Sequence, residues 1–422
     1  MHDNRIGVVV ATALSVTIVV GAGLLTLPGL SFSLAGKEGY VPWLIVAVLM
    51  LPLLYVFSYF AAHNPSAGGV TGYIRSSLGQ RFASMAEMIV LGTFTLGIPA
   101  ISFIGAEYLK QAVPGIAVVP GAFFIMCLAY GAGVIGLRIS GAIQTAIAAC
   151  IILGLSAVAV VYLFEVDWQS VPSGIPSNGI PYKGIASAIP IVLFAFTGWE
   201  MTAFLAEDMK NPKRDMPRSI WISFAIVVAV YIFIAWTVAY FGENTASWKL
   251  TPFIELAHLS FGEYGGVLVG VLAAFISIAN VVAAFMSASR AIYSAGRDGF
   301  LPNFIGRTNA DHKPLVAMTV TWLLFSMIIF ITYELGVGEK MLLQLAGQNF
   351  FVLYLLCSFG FVRVNYRNPH RLIVGVVAII SVLMMLLLFN MYGVIYCSCL
   401  AGVGLLLSRK VPDRGKVTGQ EK

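Results

Sequence analysis

Long runs of apolar residues follow one another along almost the whole chain, and short segments rich in glycine, proline and charge separate them. A run of about 20 apolar residues is long enough to cross the hydrocarbon core of a bilayer as a helix. The pattern predicts twelve helices, at 6–34, 41–62, 82–109, 116–136, 139–164, 184–206, 219–241, 264–289, 315–333, 341–362, 372–388 and 391–408. The predicted fold class is therefore an all-α, multi-pass membrane protein with twelve transmembrane helices.

Two of these helices are interrupted near the middle. Inside a bilayer, an unwound backbone is tolerated only where it lines a cavity or is packed against protein. The interruptions are Gly21-Ala22-Gly23, followed by Pro28, in helix one and Phe196-Thr197-Gly198-Trp199-Glu200 in helix six. Two breaks that lie five helices apart predict one shared site at the membrane midplane.

The spacing of the breaks also predicts how the chain is divided. Because five is odd, a second unit that begins at helix six starts on the opposite side of the membrane and runs inverted relative to the first. We therefore expect a first inverted repeat over residues 1–164 and a second over residues 165–362. Residues 363–422 supply the last two helices and a cytoplasmic tail.

Composition excludes a water-soluble fold and charge sets the orientation. Only 10% of the residues are charged, against about 25% in soluble domains. Of the 25 basic residues, 20 fall on the side of the two termini when twelve crossings are counted, which predicts cytoplasmic termini. The net charge of +6 then reflects loop orientation; the expected surroundings are the lipid bilayer, and no nucleic acid partner is expected. The five cysteines show no metal-ligand spacing, and we expect no cofactor.

The breaks favour a zwitterionic ligand. Free amide groups at the start of the second half of helix one, Gly21 to Leu24, present the positive end of a helix dipole and suit a carboxylate. Free carbonyl groups around Phe196 and Thr197 suit an ammonium group. An α-amino acid carries both groups close together. The alternative is that Gly21 and Gly23 only allow close helix packing.

At these residues the sequence resembles the amino acid-polyamine-organocation (APC) superfamily of permeases. The stretches that carry the resemblance are Gly21 to Pro28, Asn64 to Gly69, Phe196 to Glu200, Glu207 to Arg218, Arg290 to Tyr293 and Arg297 to Pro302. The resemblance implies a LeuT-like fold with a five-plus-five inverted repeat and discontinuous helices one and six. It also implies proton-linked or exchange transport of amino acids.

Within the superfamily, the chain is most similar to the bacterial amino-acid exporter branch, whose inner-membrane members carry methionine and branched-chain amino acids. His63 to Val70, with Gln144 and Thr145, carry this narrower resemblance. It implies export, by proton antiport, from the cytoplasm across a bacterial inner membrane. Several proton-coupled members have a lysine on helix five, whereas residues 139–164 here include no ionisable lysine or acid.

Glu200 is the only acid in the middle third of a predicted helix. An unpaired charge there costs about 3 kcal/mol, and burial favours its protonation. Glu200 is therefore the first candidate for proton coupling, and Glu107, near the end of helix three, is a lesser one. Glu200 could instead brace the break by hydrogen bonds or serve as counter-ion to a cationic substrate.

Other residues near mid-depth are candidate ligands. Trp199 could close over the substrate, or simply pack between helices. Thr93 and Gly97 could line the side-chain pocket, or pack. Asn280 and Asn349 could bind substrate, or form interhelical hydrogen bonds. A neutral, apolar substrate side chain is expected near Phe94, Ile98, Phe196 and Met201.

A cluster of mixed charge lies in two cytoplasmic loops. Opposite charges there could pair to seal the inner side while the protein faces outward, whereas a solvated loop would only set topology. The candidate gate residues are Glu207, Asp208, Arg214, Arg290 and Asp298.

Functions of other classes have less support. The five histidines lie in loops or at helix ends, so no metalloenzyme motif or Ser/His pair can be assembled, and no ATP-binding GxxxxGK[ST] loop is present. We expect a transporter of neutral apolar amino acids and not an enzyme. The alternatives are a cationic amino-acid or polyamine exchanger that uses Glu200, and a transporter-like nutrient sensor. Monomer and homodimer both stay open.

Overall fold

The computed structural model describes residues 7–20, 23–63, 69–113, 115–135, 141–165, 181–199, 209, 211–243, 245–297, 299–309 and 313–408. Regular structure in these ranges is helical. The helices are α1 (Val8–Val19), α2 (Gly23–Ala35), α3 (Val41–His63), α4 (Gly69–Leu78), α5 (Gln80–Ala112), α6 (Val118–Ile135), α7 (Gly141–Glu165), α8 (Tyr182–Ala195), α9 (Pro212–Phe241), α10 (Ala246–Leu250), α11 (Pro252–Arg297), α12 (Leu315–Glu334), α13 (Glu339–Asn365), α14 (Pro369–Leu386) and α15 (Met391–Leu407). A short 3₁₀ turn, Gly36–Glu38, follows α2.

Eight of the described helices are long and apolar enough to cross a membrane, namely α3, α5, α6, α9, α11, α12, α13 and α14. Shorter apolar helices are Ile152–Phe164 within α7, α8 and α15. These helices follow the apolar runs of the sequence, so the predicted all-helical, multi-pass architecture is confirmed. The count of twelve crossings and the inverted repeat stay predictions.

Three helical segments were missed because long apolar runs were the only signal used. Helix α4 is short and amphipathic, and buries Val70, Tyr73 and Ile74 on one side. Helix α10 has only five residues and is capped by Thr245, whose hydroxyl accepts from the Trp248 N–H at 3.2 Å. Helix α11 begins at Pro252, before a kink at Gly262, where φ is 68°.

Helix one is interrupted where its glycines predict. Helix α1 ends at Val19, the next residue is extended, and α2 begins at Gly23. A side chain on Gly29 would collide with the carbonyl oxygen of Lys249, and one on Gly184 with that of Leu34. Backbones therefore approach closely around α2, which packs tightly against α8 and α10.

Helix α5 is central to the packing and contacts α4, α6, α11, α13 and α15. Helix α9 instead packs against α1, α2 and α3. Helices α1 and α2, on either side of the helix-one break, therefore both pack against α9. The twelve largest fully buried side chains among the described residues are all aromatic, and they include Trp43, Trp199 and Tyr231.

Candidate functional site

One phenol joins the two interrupted regions. The Tyr231 hydroxyl of α9 lies 3.2 Å from the carbonyl oxygen of Val19, the last residue of α1, and 3.1 Å from that of Ala195, the last residue of α8. Carbonyl groups at a helix end have no partner within the helix. A hydroxyl carries one proton and donates it to one of these carbonyls at a time. The negative ends of two helix dipoles therefore converge at Tyr231.

The chain after α8 is held in a tight turn. The Phe196 N–H donates to the Leu193 carbonyl at 3.0 Å, and Thr197 donates to the Phe194 carbonyl from its N–H at 3.2 Å and from its hydroxyl at 2.8 Å. Gly198 has φ of 111°, a conformation that favours glycine. The signal Phe196-Thr197-Gly198 therefore marks the end of a helix, as expected.

An aromatic cluster fixes this turn against α3 and α9. The ring of Phe196 lies 5.4 Å from Tyr231 and 6.2 Å from Trp43, and Trp43 meets Tyr231 edge-on at 5.2 Å. Trp199 packs edge-on against Phe224 at 5.6 Å. Phe196, Trp43 and Trp199 are fully buried. The rigid packing holds the Tyr231 hydroxyl between the two helix ends.

Phe194 lies where four helices meet, and sequence reasoning missed it. Its side chain lies 3.8 Å from the place a Cβ would take on Gly23 of α2, and 3.7 Å from that place on Gly97 of α5. The matching distance on Gly347 of α13 is 3.8 Å. The Phe194 ring is nevertheless partly exposed. Glycines on three neighbouring helices leave room beside it, and its position two residues before the predicted break was the available signal.

The beginning of α2 faces this space from another side. Its first amide groups have no partner within the helix, because the first turn of any helix leaves four N–H groups free. Gly23 and Leu24 are buried there. Farther along α2, the Tyr108 hydroxyl of α5 donates to the Leu25 carbonyl at 2.6 Å, and the Thr26 hydroxyl donates to the Leu250 carbonyl at 3.0 Å. These bonds anchor α2 to α5 and to the last residue of α10.

Helix α13 carries two adjacent buried amides. Gln348 is 2% exposed and Asn349 is fully buried. Neither side chain has a hydrogen-bond partner among the described residues. Leaving a buried polar group unpaired costs about 1–3 kcal/mol. The Gln348 amide occupies the space that a side chain on Gly393 of α15 would need. Asn349 was predicted as a ligand or an interhelical bond, and Gln348 was not singled out.

The remaining predicted residues fall in three different surroundings. Thr93 is buried, and its hydroxyl bonds within α5 to the Ile89 carbonyl at 2.8 Å. Asn280 is partly buried on α11. Glu107 is partly buried near the end of α5. Of the predicted apolar contacts, Phe94 is partly exposed and Ile98 is buried.

Several predicted residues lie outside the described ranges, and their roles stay predictions. They are Gly21, Ala22, Glu200, Met201, Glu207, Asp208 and Asp298. The basic gate residues Arg214 and Arg290 are exposed. Within the described part of the chain, no three His, Cys, Asp or Glu side chains are grouped so that they could hold a metal ion.

Comparisons with known proteins show the family of the chain. A family model described as amino acid permease matches residues 6–414, which confirms the resemblance to the APC superfamily. The L-methionine/branched-chain amino acid exporter of Escherichia coli (strain K12) is 26% identical over 425 residues, covering 98% of this chain and 99% of the exporter. The putrescine transporter of Haemophilus influenzae is 23% identical over 364 residues, covering 84% of this chain and 83% of that protein.

A third relative is the serine/threonine exchanger of Bacillus subtilis, 26% identical over 284 residues, which cover 64% of this chain and 62% of the exchanger. The bacterial relatives and the eight helices of spanning length indicate a multi-pass protein of the inner membrane. Its family and its relatives are transport proteins and not enzymes. From residue 6 to residue 414, the chain thus belongs to the amino acid permease family.

Proposed function

We propose that the protein is a secondary active transporter that exports neutral apolar L-amino acids, namely methionine, leucine, isoleucine and valine, by proton-linked antiport with alternating access. The observation that carries the proposal is the convergence of the α1 and α8 carbonyl ends on Tyr231. Three helix ends of two different polarities meet beside Phe194, which suits a ligand with both a cationic and an anionic group.

The α-ammonium group of the substrate is assigned to the carbonyl ends. Tyr231 can donate to Val19 or to Ala195, but not to both at once. An ammonium group brings three donors and can satisfy the carbonyl that Tyr231 leaves without a proton. The α-carboxylate is assigned to the free amides at the start of α2, from Gly23 to Leu24, together with the predicted ligands Gly21 and Ala22.

The substrate side chain is assigned to the space beside Phe194. A Cβ on Gly97 would meet the Phe194 ring, and one on Gly347 would meet the Phe194 Cβ, both at ordinary van der Waals distances, so the walls consist of an aromatic ring and glycine backbone. An apolar wall favours a neutral apolar side chain because a charged one would lose its hydration there without a partner. Asn349, Asn280 and Thr93 are proposed to line the same path, with Trp199 closing it.

The chain is proposed to cross the membrane twelve times, with both termini in the cytoplasm. Helices one to five and six to ten form the two inverted repeats, 1–164 and 165–362. The strong bias of basic residues to one side supports this orientation. Salt bridges among Glu207, Asp208, Arg214, Arg290 and Asp298 are proposed to close the cytoplasmic side.

Proton coupling is assigned to Glu200, with Glu107 as a lesser candidate. Glu200 directly follows the α8 turn that ends at Trp199. A carboxyl group next to the ammonium site favours the carboxylate form when substrate is bound and the neutral form when the site is empty. Exchange of a proton for an amino acid follows from this linkage.

Export is proposed because the full-length similarity is to an exporter. The putrescine transporter among the relatives favours a second candidate function, in which the protein exchanges cationic amino acids or polyamines and Glu200 is the counter-ion. The two candidates differ in the need for a substrate carboxylate.

Counterflow in proteoliposomes tests the proposal. Separate batches of vesicles that contain the purified protein are preloaded with unlabelled leucine, methionine, arginine or putrescine, and the uptake of the labelled form of each compound is followed with and without a pH gradient. We expect labelled leucine to accumulate and labelled arginine and putrescine not to. Accumulation of arginine or putrescine alone would instead establish the cationic candidate.

A further inference from the structure

An open cleft lies at one end of the bundle, far along the chain from the helix breaks. It has a volume of about 750 Å³ and lies where α3 and α13 end and α14 begins. Its lining residues are Tyr59, Val364, Asn365, Tyr366, Arg367, Asn368, Pro369, His370 and Arg371. The lining combines cationic, aromatic and amide side chains.

Arg371 is held in position over the cleft. Its guanidinium carbon lies 4.9 Å from the centre of the Tyr59 ring, which is a cation–π contact. One guanidinium nitrogen donates to the side-chain oxygen of Asn365 at 3.3 Å. Asn365 is itself buried, and its amide nitrogen donates to the Phe361 carbonyl at 3.1 Å. These contacts use one face and one N–H of the guanidinium, so other N–H groups stay available.

Further positive charge surrounds Arg371. Arg367 donates to the Tyr366 hydroxyl at 2.8 Å. Arg363 lies one turn before Arg367 on the same segment. The sequence from residue 341 to residue 412 contains no Asp or Glu. The cleft is therefore a cationic site, and the one acid on its helices, Glu339, begins α13 at the opposite end of that helix.

An apolar surface continues from the cleft. Ile373 is 62% exposed, and Val376 and Val377 are 42% and 44% exposed on the same helix, α14. Phe359 on α13 is 45% exposed. Since α14 is a helix of spanning length, this face meets lipid chains. A ligand with an anionic head and an apolar tail matches both surfaces at once.

We propose that this cleft binds the headgroup of an anionic phospholipid, such as phosphatidylglycerol. The phosphate is bound by the guanidinium groups of Arg371 and Arg367, and the acyl chains lie along the exposed face of α14. Basic pockets between transmembrane helices bind such headgroups in the cytoplasmic leaflet, which is rich in anionic lipid. The site does not depend on which amino acid is carried, and only its assignment to that leaflet rests on the proposed orientation.

Titration of lipid into the purified full-length protein in detergent tests the proposal. Bound phosphatidylglycerol and phosphatidylcholine are counted by native mass spectrometry, and the shift of the melting temperature is followed in parallel. We expect tight binding of one phosphatidylglycerol. The double variant Arg367→Gln/Arg371→Gln should weaken that binding roughly 30-fold, from two lost cationic contacts.

A matched variant removes two exposed arginines elsewhere on the same predicted side, Arg81→Gln/Arg307→Gln, and should keep the wild-type affinity. The single variant Arg371→Lys keeps the charge but loses the planar stack on Tyr59, so it should weaken binding less than the double variant. It replaces the double variant in the test if that variant does not fold. Equal binding of the two lipids, or equal loss in the matched variant, would overturn the proposal. Inorganic phosphate that binds as tightly as phosphatidylglycerol would show a free-anion site instead.

Discussion

Two groups of buried polar atoms lie inside the bundle, and they differ in whether they have hydrogen-bond partners. At the helix breaks, the end carbonyls of Val19 and Ala195 meet the Tyr231 hydroxyl, and the turn after α8 bonds its own amides. On α13, the amides of Gln348 and Asn349 are as deeply buried but have no partner among the described residues. The first group is pre-organised, whereas the second has unused bonding capacity. The helix ends therefore need no rearrangement to accept a substrate ammonium group, whereas the amides on α13 can still bind water or substrate.

The largest effect is expected from Tyr231→Phe. Removal of the hydroxyl leaves two buried carbonyls without a donor, which costs about 1–3 kcal/mol of folding stability. It also frees the α1 and α8 ends to separate, so substrate affinity should fall roughly tenfold, equivalent to about 1.4 kcal/mol. Thermal unfolding and leucine binding measure the two effects.

Tyr130→Phe is the control for that variant. It removes a hydroxyl that bonds Thr319 at 3.0 Å, away from the breaks. Its affinity for leucine should be that of the wild type. A Tyr231→Phe protein that binds leucine with unchanged affinity would show that the junction is only packing.

The second effect concerns the amide pair. Suppose that the side-chain amides of Gln348 and Asn349 are buried without hydrogen bonds and have no role in transport. Apolar replacements of similar volume should then stabilise the protein by about 1–3 kcal/mol and leave transport intact. We expect Asn349→Leu to raise the melting temperature and to lower the transport rate. Gln348→Met, which faces α15, should raise stability with a smaller change in transport.

Loss of stability in both variants would contradict this expectation, because it would mean that the amides are already satisfied by ordered water. Unchanged transport in Asn349→Leu would remove Asn349 from the substrate path. Unfolding and transport assays on the same preparations distinguish these outcomes.

A more local effect, on substrate preference and not on folding, is expected from Gly97→Ala. A Cβ there meets Phe194 and Ala346 at 3.6 to 3.8 Å, so the variant should fold normally. The added methyl group narrows the space beside Phe194, and one methyl group in a pocket changes discrimination by about 10-fold or more. Valine should therefore be preferred over methionine more strongly than in the wild type, as measured by competition binding.

Gly29→Ala is the contrasting variant. Its Cβ would collide with the Lys249 carbonyl, so it should destabilise the protein without changing the order of substrate preference. If Gly29→Ala changed the substrate preference and Gly97→Ala did not, Gly29 would belong to the substrate pocket and Gly97 to the helix packing, which contradicts the proposal.

The smallest structural change is Glu200→Gln, which tests coupling alone. The variant keeps the shape of the side chain but cannot lose a proton. Exchange of labelled for unlabelled leucine should persist, while the dependence of transport on the pH gradient should vanish. An unchanged dependence would limit Glu200 to bracing the break.

Much of the helical framework could be predicted because long apolar runs report directly on helices that must hide their backbone from lipid. The breaks could also be predicted, since Gly23 and Gly198 stand inside otherwise continuous runs. The role of Tyr231 could not be predicted, because nothing in the sequence of an apolar helix indicates which distant carbonyl a tyrosine hydroxyl will contact. Phe194 and Gln348 were missed for the same reason: their role depends on contacts between helices far apart in sequence.

The most direct measurement compares leucine with two analogues that each lack one charged group, 3-methylbutylamine and 4-methylpentanoic acid. Binding of each to the purified protein is measured by competition with labelled leucine. If three helix ends bind both the ammonium and the carboxylate group, each analogue should bind at least roughly tenfold more weakly than leucine, since one lost charged hydrogen bond costs about 1.5–3 kcal/mol. Equal binding of 3-methylbutylamine and leucine would contradict an amino-acid site and favour an amine exchanger.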